Sequence, residues 1–270
     1  MIIDGKKIAN DLLKNLKNKN ITSKFFGALI VGEDKSSLNF LKIKQKIAKE
    51  LNIDFRIYKF NENITTDKLR HEIARLANPK NCGGFTVQLP LPKHINSYYV
   101  LNSIPKNKDV DLLSEHSIGA FYSGRHKLKP PSVKVVEEIV KNQNINISNL
   151  NCAVIGYGYL IGKPISFWLL DKVKQISVFT DKNINFQNNL KNYDIIISGV
   201  GKAKLFSAKH LKQNTVVIDF GYDFDKNNKI YGDFDSDLVK EKDILYTPTP
   251  GGTGPILVAK LFENFLELNQ

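Results

Sequence analysis

One lysine falls on the apolar face of a segment with helical periodicity. Across residues 37–51, apolar side chains recur at spacings of three and four, and Lys44 lies in the middle of that stripe. The stripe consists of Phe40, Leu41, Ile47, Ala48 and Leu51. A lysine there either extends its ammonium group to the rim or lies in a cleft, where desolvation lowers its pKa towards neutrality. A lysine of the second kind can transfer protons near pH 7, and the spacing leaves both interpretations open.

Polar residues also follow a predicted buried strand. The strand in GGFTVQLPLP ends near Gln88, and Pro90 and Pro92 come directly after it. Ligands in open α/β sheets bind beyond the carboxyl ends of the strands, so Gln88 is well placed for a binding site. The segment KNKDVDLL adds Asp109 and Asp111, which are either site carboxylates or part of a solvated turn.

A glycine-rich turn in the second half of the chain resembles a nucleotide-binding loop. The stretch CAVIGYGYLIGKP has the pattern of a strand, a turn and the start of a helix, with Gly156, Gly158 and Gly162. Glycines in such a turn let the backbone approach a pyrophosphate, which the helix N-terminus then stabilises. The spacing GxGxxxG is a weak signal, and a purely structural turn is the alternative.

The predicted strand after this turn, ISVFTD, ends in an acidic residue. Asp181 follows Gly156 by 25 residues (181 minus 156). Its carboxylate either accepts a hydrogen bond from a ribose 2′-hydroxyl or caps the next helix. In the first case it would repel a 2′-phosphate, and no arginine stands close by in the sequence, so NAD is favoured over NADP.

The nonapeptide TPTPGGTGP, residues 247–255, contains three prolines and three glycines. It cannot form a helix or a central strand, because proline lacks the amide donor and glycine loses too much entropy. An apolar run of helical period follows at once. The composition predicts a stiff, tightly turned loop that leads into a helix at Pro255, where the missing donor costs nothing.

Helical and strand-like segments alternate along the chain, which predicts an α/β protein with mainly parallel sheets and two lobes. The expected helices cover residues 6–18, 37–51, 67–76 and a final segment from Pro255. The expected strands cover residues 25–31, 55–60, 84–89, 152–155, 176–180, 194–200 and 215–220. Turn-forming residues cluster after Asp111, and we place the lobe boundary there. They are Gly119, Gly124, Pro130 and Pro131.

Composition excludes several classes of protein. The 270 residues are 42% hydrophobic and 24% charged, which is typical of a globular chain. No stretch approaches the roughly 20 apolar residues of a membrane span, and the first residues lack a signal-peptide pattern, so a cytoplasmic location without membrane contact is expected. The net charge of +12 comes from dispersed lysines, which argues against nucleic acid as a partner. Neither the two cysteines, Cys82 and Cys152, nor the histidines have the spacing of a metal site.

The order of these motifs resembles one family closely. Lys44, VQLPLP, KDVD, the glycine turn and TPTPGGTGP are similar to the bifunctional methylenetetrahydrofolate dehydrogenase/methenyltetrahydrofolate cyclohydrolase enzymes of FolD type. The likeness covers essentially the whole chain, and VQLPLP with PGGTGP is its specific part. It implies oxidation of 5,10-methylenetetrahydrofolate with NAD or NADP, NADP being the commoner choice in the family. Hydrolysis of the methenyl product to 10-formyltetrahydrofolate follows.

The resemblance also implies domains and residue roles. It assigns residues 1–112, completed by the final helix 255–270, to tetrahydrofolate binding and residues 113–254 to a Rossmann-type domain that binds NAD(P). In the catalytic set, Lys44 would transfer protons, Gln88 would hydrogen-bond to it, and Asp111 would hold the pterin ring. The substrate would contact Ser37, Phe40, Pro250, Gly251 and Gly252, in a cleft between the lobes. The cofactor would contact Gly156, Tyr157, Gly158, Gly162, Asp181 and Tyr222.

The family usually forms homodimers through the second lobe. The stretch FGYDFDKNNKIYGDFD has the pattern of a hairpin around Asn227 and Asn228. The resemblance makes this hairpin the expected dimer arm.

The chain departs from the family pattern at some of these positions. Phe40 replaces a tyrosine, so a hydroxyl that would partner Lys44 and the folate is lost. Asp181 occupies a position that often carries a basic residue for the 2′-phosphate. The cofactor turn and the segment KPPS at residues 129–132 also differ. A catalytically impaired paralogue that binds folate or dinucleotide, with a weakened cyclohydrolase step, is therefore the alternative hypothesis.

Overall fold

The chain is described from a computed structural model, which covers residues 1–18, 22–224, 229–241 and 243–270. Within these residues the α-helices are α1 (Gly5–Lys17), α2 (Lys35–Glu50), α3 (Thr66–Ala77), α4 (Ser97–Leu101), α5 (Glu115–Tyr122), α6 (Pro131–Asn142), α7 (Gly162–Leu169) and α8 (Thr253–Glu267). Short 3-10 helices cover Lys106–Lys108, Phe186–Asn192, Ala208–His210 and Ser236–Glu241. The strands are β1 (Phe25–Val31), β2 (Phe55–Phe60), β3 (Cys82–Val87), β4 (Asn151–Ile155), β5 (Gln175–Phe179), β6 (Ile195–Ser198), β7 (Phe206–Ser207), β8 (Val216–Asp219), β9 (Asp223–Phe224), β10 (Ile230–Tyr231), β11 (Phe234–Asp235) and β12 (Leu245–Tyr246).

The chain forms two compact units, which we name after their main sheets. The three-stranded unit contains residues 12–131 and 258–270, and the five-stranded unit contains residues 1–11 and 132–257. This division differs from the boundary expected after residue 112. The first residues join the five-stranded unit because they extend its sheet edge: the Ile3 amide donates to the Tyr246 carbonyl at 2.8 Å, and Ile2 forms a parallel bridge with Tyr246.

The three-stranded unit is built on the parallel sheet β2-β1-β3. Every residue of the central strand β1 is buried, as its unbroken apolar sequence FFGALIV requires. One face packs on the final helix, where Phe26 stacks on Phe265 with ring centroids 5.0 Å apart and meets Phe262 edge-on at 5.4 Å. Because the three strands are parallel, their carboxyl ends lie at one edge of the sheet, and aromatic rings form part of the core that packs on it.

The five-stranded unit has a parallel sheet in the order β12-β8-β6-β4-β5. Its core includes Ile155, Ile196 and Val217 from three neighbouring strands, with Leu190 and Phe206 packed against them. The α/β class with mainly parallel sheets is therefore confirmed. The predicted hairpin is also present as the antiparallel pair β9 and β10, while its expected turn at residues 227–228 lies outside the described residues.

Two local features differ from the elements that the sequence predicts. The segment after Asp111, where turn formers cluster, contains the helix α5, which is not among the expected helices. It starts at a cap in which the Ser114 hydroxyl accepts from the Ser117 amide at 3.2 Å. The final helix begins at Thr253 rather than Pro255. Pro255 still lies in the first turn, where amides have no partner within the helix, so its missing donor is tolerated.

Two further features concern the described residues as a whole. No helix among them combines the length and the apolar character that crossing a membrane requires. Nor do His, Cys, Asp and Glu side chains gather there in a group of three that could hold a metal ion.

Candidate functional site

Lys44 and Gln88 meet in the interior of the three-stranded unit. Helix α2 brings Lys44 there from a start capped by Asp34, whose carboxylate accepts from the Ser37 amide at 2.7 Å. The Lys44 residue is only 6% exposed, and its Nζ donates to Gln88 Oε1 at 2.5 Å. The ammonium group thus points into the fold and does not reach out to a solvated rim. Burial lowers the pKa of Lys44 below its ordinary value, and the negative charge of Asp111 opposes that shift.

Asp111 lies beside the same strand as Gln88. The segment 109–111 runs along β3, with a parallel bridge between Phe85 and Asp109. This places Asp111 next to Thr86, whose hydroxyl donates to Asp111 Oδ2 at 2.5 Å. Thr86 and Gln88 are two residues apart, and side chains at that spacing in an extended chain point to the same face. The structure therefore brings Lys44, Gln88 and Asp111 together at the carboxyl end of β3.

Asp109 stabilises the local fold and is not part of the cluster formed by Lys44, Gln88 and Asp111. Its carboxylate is fully buried and accepts from the Leu113 amide at 2.9 Å, the Ser114 amide at 2.8 Å and the Ser114 hydroxyl at 2.7 Å. Burial raises the pKa of Asp109, and these hydrogen bonds oppose the shift. Asp109 thereby fixes the backbone at Leu113 and Ser114, directly before α5. The interpretation of Asp109 as part of a solvated turn is therefore wrong.

Ser37 and Phe40 lie on α2, within two turns of Lys44. Ser37 is 6% exposed, and its position is set by the Asp34 cap. Phe40 is half-buried and packs against an apolar cluster that includes Phe26, Ile47 and Phe262. Because Phe40 precedes Lys44 by four residues, both side chains lie on the same side of the helix. The family pattern has a tyrosine at this position, so the ring of Phe40 lacks the hydroxyl group that the tyrosine would carry.

The proline- and glycine-rich loop belongs to the five-stranded unit and is held by close backbone packing. Gly251 has φ +104°, in the region that favours glycine. A Cβ on Gly252 would lie 2.6 Å from the Pro248 carbonyl oxygen, and one on Gly5 would lie 1.8 Å from the Gly252 oxygen. The peptide before Pro250 is cis. The loop is therefore tightly turned, as its sequence predicts: Gly252 has no room for a side chain, and Gly251 has a backbone conformation that favours glycine.

A cavity of about 580 Å³ opens at the carboxyl ends of β4, β5 and β6. Four of the predicted cofactor residues line it, namely Gly156, Tyr157, Gly158 and Asp181. Gly156 adopts φ +89° as the chain turns away from β4. Gly162 is required for a different reason, because a Cβ there would lie 1.9 Å from the Gly156 carbonyl oxygen. The glycine turn is thus folded back tightly against the start of α7.

Tyr222 does not line this cavity. Its ring packs edge-on against Phe224, with centroids 5.2 Å apart, beside the β9–β10 hairpin. Sequence reasoning instead missed Asn183, Val200 and Lys202, which do line the cavity. The segment GVGK, residues 199–202, directly follows the buried strand β6. The rule that ligands bind beyond strand carboxyl ends could therefore have indicated Val200 and Lys202.

The cavity has the chemistry that a dinucleotide requires. A Cβ on Gly158 would meet nothing within 4 Å, so the backbone there faces open space that a phosphate group can enter. Apolar side chains of Ile155, Phe179 and Val200 offer a surface for a flat ring, and Lys202 contributes a positive charge. Asp181, an exposed residue, supplies an acceptor. The residues present therefore fit a nicotinamide dinucleotide.

Comparisons with known proteins identify related sequences for both parts of the chain. Residues 3–111 match the family model "Tetrahydrofolate dehydrogenase/cyclohydrolase, catalytic domain", and residues 130–270 match "Tetrahydrofolate dehydrogenase/cyclohydrolase, NAD(P)-binding domain". The bifunctional protein FolD of Staphylococcus aureus is 33% identical over 272 residues, covering 98% of this chain and 95% of the relative.

The chain is also similar to solved structures of FolD enzymes. The bifunctional FolD enzyme of Campylobacter jejuni aligns with TM-score 0.93 and 30% identity, covering 99% of this chain and 98% of that one. The Trypanosoma brucei FolD, solved with NADP and an inhibitor, aligns with TM-score 0.92 and 26% identity, covering 99% and 96%.

Proposed function

The chain belongs to the tetrahydrofolate dehydrogenase/cyclohydrolase family, and from that premise we propose how its residues carry out the two reactions. The first oxidises 5,10-methylenetetrahydrofolate to the methenyl cation with a nicotinamide dinucleotide. The second hydrolyses that cation to 10-formyltetrahydrofolate. The observation that carries the proposal is the buried hydrogen bond between Lys44 and Gln88, with Asp111 close enough to influence the lysine.

Asp111 holds the pterin ring in this scheme. A carboxylate accepts from a ring NH and an exocyclic amino group at once, which few other side chains can do. The Thr86 hydroxyl already donates to one of its oxygens, and this bond orients the carboxylate without using its remaining lone pairs. Fixing the ring in this way contributes to both reactions, because each depends on the position of the one-carbon bridge.

Lys44 transfers protons in the hydrolysis. Water adds to the methenyl carbon and loses a proton, and the adduct then loses its hydroxyl proton as a C–N bond breaks and the released ring nitrogen gains one. Burial lowers the pKa of Lys44, so the ammonium group gives up its proton more readily than that of an exposed lysine, and the neutral amine can accept one. The positive charge of the methenyl cation favours the neutral amine further, since like charges repel. Gln88 Oε1 fixes the direction in which the Nζ hydrogens point.

A nicotinamide dinucleotide held by the residues that line the cavity of the five-stranded unit would supply the hydride acceptor. The chain's own contribution there is to bind and orient it. The glycine turn allows close approach of the pyrophosphate, and the start of α7 directs backbone amides towards that turn. We assign the choice of cofactor to Asp181, which favours the ribose 2′-hydroxyl of NAD.

The proposal is tested by incubating the purified chain with 5,10-methylenetetrahydrofolate and either NAD or NADP. The absorbance of the methenyl product should rise with at least one cofactor and then decay as hydrolysis proceeds. No product with either cofactor would contradict the enzyme assignment. The comparisons provide no evidence for the impaired alternative.

Replacing Asp181 with arginine should shift the preference towards NADP. The substitution removes a carboxylate that repels a 2′-phosphate and adds a guanidinium that binds it. We expect the ratio of kcat/KM for NADP to that for NAD to rise roughly tenfold or more, since about 1.4 kcal/mol of differential binding suffices. Asp171→Arg makes the same change of charge at another exposed aspartate of the same unit, which pairs with Lys172. An equal ratio in both variants would show that Asp181 never contacts the ribose.

Replacing Phe40 with tyrosine should raise the cyclohydrolase activity relative to the dehydrogenase activity. The added hydroxyl supplies the hydrogen-bond partner that the family pattern has and this chain lacks. We expect a rise of about three- to tenfold in hydrolysis, corresponding to one hydrogen bond of roughly 1 kcal/mol. Phe55→Tyr is the control, because Phe55 packs against the same apolar cluster from strand β2. Unchanged hydrolysis in Phe40→Tyr would mean that the missing hydroxyl does not limit the reaction.

A homodimer formed through the five-stranded unit, with the β9–β10 hairpin as its arm, completes the proposal. Phe224 on this hairpin is 40% exposed, which suits a contact surface. Light scattering of the purified chain measures the oligomeric state. The cytoplasmic location stays a prediction from the sequence.

A further inference from the structure

A buried carboxylate organises one wall of the dinucleotide cavity without lining it. Asp233 is fully buried, and its two oxygens accept four hydrogen bonds from residues 198–202. The donors are the Ser198 hydroxyl at 2.5 Å and the amides of Val200 at 2.8 Å, Gly201 at 2.9 Å and Lys202 at 2.8 Å. Three successive backbone amides thus converge on one side chain.

This segment forms part of the cavity wall. Gly199, Val200 and Lys202 all line the cavity, and Gly201 between them has φ +77°. A chain in this conformation leaves its amides without partners in the sheet, and unpaired buried amides are costly. The Asp233 carboxylate satisfies them together. The position of the Val200 side chain and of the Lys202 backbone therefore depends on a residue about 30 positions away in sequence (233 minus 202 is 31).

A second buried carboxylate, that of Asp219, fixes the backbone next to Asp233. Asp219 Oδ1 accepts from the Gly221 amide at 2.7 Å, and Asp219 Oδ2 accepts from the Phe234 amide at 2.9 Å, directly after Asp233. Burial, together with the nearby charge of Asp233, raises the pKa of Asp219 to about 7. Its backbone is hydrogen-bonded to Thr247, the first residue of the proline- and glycine-rich loop, and to Thr253, where α8 begins.

Two glycines leave the space that these carboxylates occupy. A Cβ on Gly221 would lie 2.3 Å from the Asp233 Cγ, and one on Gly232 would lie 2.1 Å from Asp219 Oδ2. Packing against the two carboxylates therefore explains why glycine is required at positions 221 and 232, although neither residue takes part in the proposed reactions. Such a close fit holds each carboxylate in one position.

We propose that Asp233 is a positioning residue for dinucleotide binding, because its carboxylate fixes the backbone of residues 199–202 in the shape that contacts the cofactor. This inference rests on the proposed function, since it assumes that the dinucleotide binds in this cavity. Asp233 itself is buried and is not among the residues that line the cavity.

The test is the affinity of an Asp233→Asn variant for NAD and NADP, measured by isothermal titration calorimetry. An asparagine of the same shape offers one acceptor oxygen and turns an NH2 group towards the amides, so the segment must rearrange. We expect the dissociation constant of the preferred dinucleotide to rise at least tenfold. The KM for the folate substrate should stay within about twofold, a split that a general loss of stability would not produce.

Asp194→Asn is the matched control. Asp194 also accepts a backbone hydrogen bond in the five-stranded unit, from Asn151 at 2.8 Å, but it precedes β6 and so lies at the opposite end of the sheet from the cavity. Its dinucleotide affinity should equal that of the wild type. Equal losses in both variants, or wild-type affinity in folded Asp233→Asn, would overturn the inference.

Ser198→Ala keeps the inference testable should Asp233→Asn fail to fold. It removes only the hydroxyl donor to Asp233 and leaves the three amides in place. We expect the dissociation constant to rise about two- to fivefold, and wild-type affinity in this variant would then decide against the inference. If the wild-type chain itself binds no dinucleotide, the proposed function fails instead, and this failure is distinct because it appears before any substitution is made.

Discussion

A Lys44→Met variant is expected to lose cyclohydrolase activity by about two to four orders of magnitude, the range that a general acid–base group contributes. Methionine has a similar length and fills the buried space, but it can neither accept nor donate a proton. The dehydrogenase reaction should fall much less, since hydride transfer requires no proton transfer by this group. The measurement is the decay of 5,10-methenyltetrahydrofolate absorbance, followed in the absence of dinucleotide.

The fold should survive this substitution, and stability at pH 7 should not decrease. Burial lowers the pKa of Lys44 in the folded chain, so the unfolded chain binds more protons between that value and the unfolded pKa of about 10.4. Wild-type stability therefore rises with pH across this window, and below it the lysine opposes folding in full. Methionine removes that opposition, and the midpoint of urea unfolding should be equal or higher at pH 7.

Lys46→Met provides the control for this experiment. Lys46 lies two residues further along α2, its side chain is 79% exposed, and it pairs with Glu50 across one helical turn. Its replacement removes the same charge from the same helix and should leave hydrolysis within about twofold of the wild type, since exposed pairs contribute little. Unchanged hydrolysis in Lys44→Met would exclude Lys44 from proton transfer.

Helical periodicity identified Lys44 as unusual, but it could not decide where the ammonium group points. That outcome depends on Gln88, which lies 44 positions away in sequence and reaches Lys44 because β3 ends beside α2. Local patterns are enough to predict amphipathic helices and buried strands. The pairing of polar side chains across a core depends on tertiary packing, which one sequence does not reveal.

The same limit applies to Asp233 and to the region around α5. In the sequence, GDFD looks like part of a polar hairpin, and nothing in it indicates that four donors from residues 198–202 converge on one carboxylate. Around α5, the cluster of turn formers that includes Gly119 and the prolines predicts a boundary and no helix. The helix forms because its Ser114 cap is fixed by Asp109, a contact between a turn and a buried carboxylate.

The second prediction with a large expected effect concerns Gly162 and Gly158 in the glycine turn. The structure gives these two glycines different roles, which the sequence alone does not distinguish. A Cβ on Gly162 would lie 1.9 Å from the Gly156 carbonyl oxygen, whereas one on Gly158 would meet nothing within 4 Å. Gly162→Ala must therefore push the start of α7 away from the turn. We expect the free energy of unfolding to fall by about 1–3 kcal/mol, as for other overpacked sites, and dinucleotide affinity to fall by a hundredfold or more.

Gly158→Ala is the partner experiment in the same loop. Its backbone does not lie in the left-handed region, and its Cβ would enter open space, so stability should change by less than about 0.5 kcal/mol. The methyl group would nevertheless occupy the space through which a pyrophosphate approaches the backbone, and the dissociation constant should rise about tenfold. Thermal unfolding and calorimetric titration of both variants measure these effects. If Gly158→Ala binds the dinucleotide as tightly as the wild type, the open space at that glycine does not receive the phosphates, because a methyl group placed in their path would have to weaken binding.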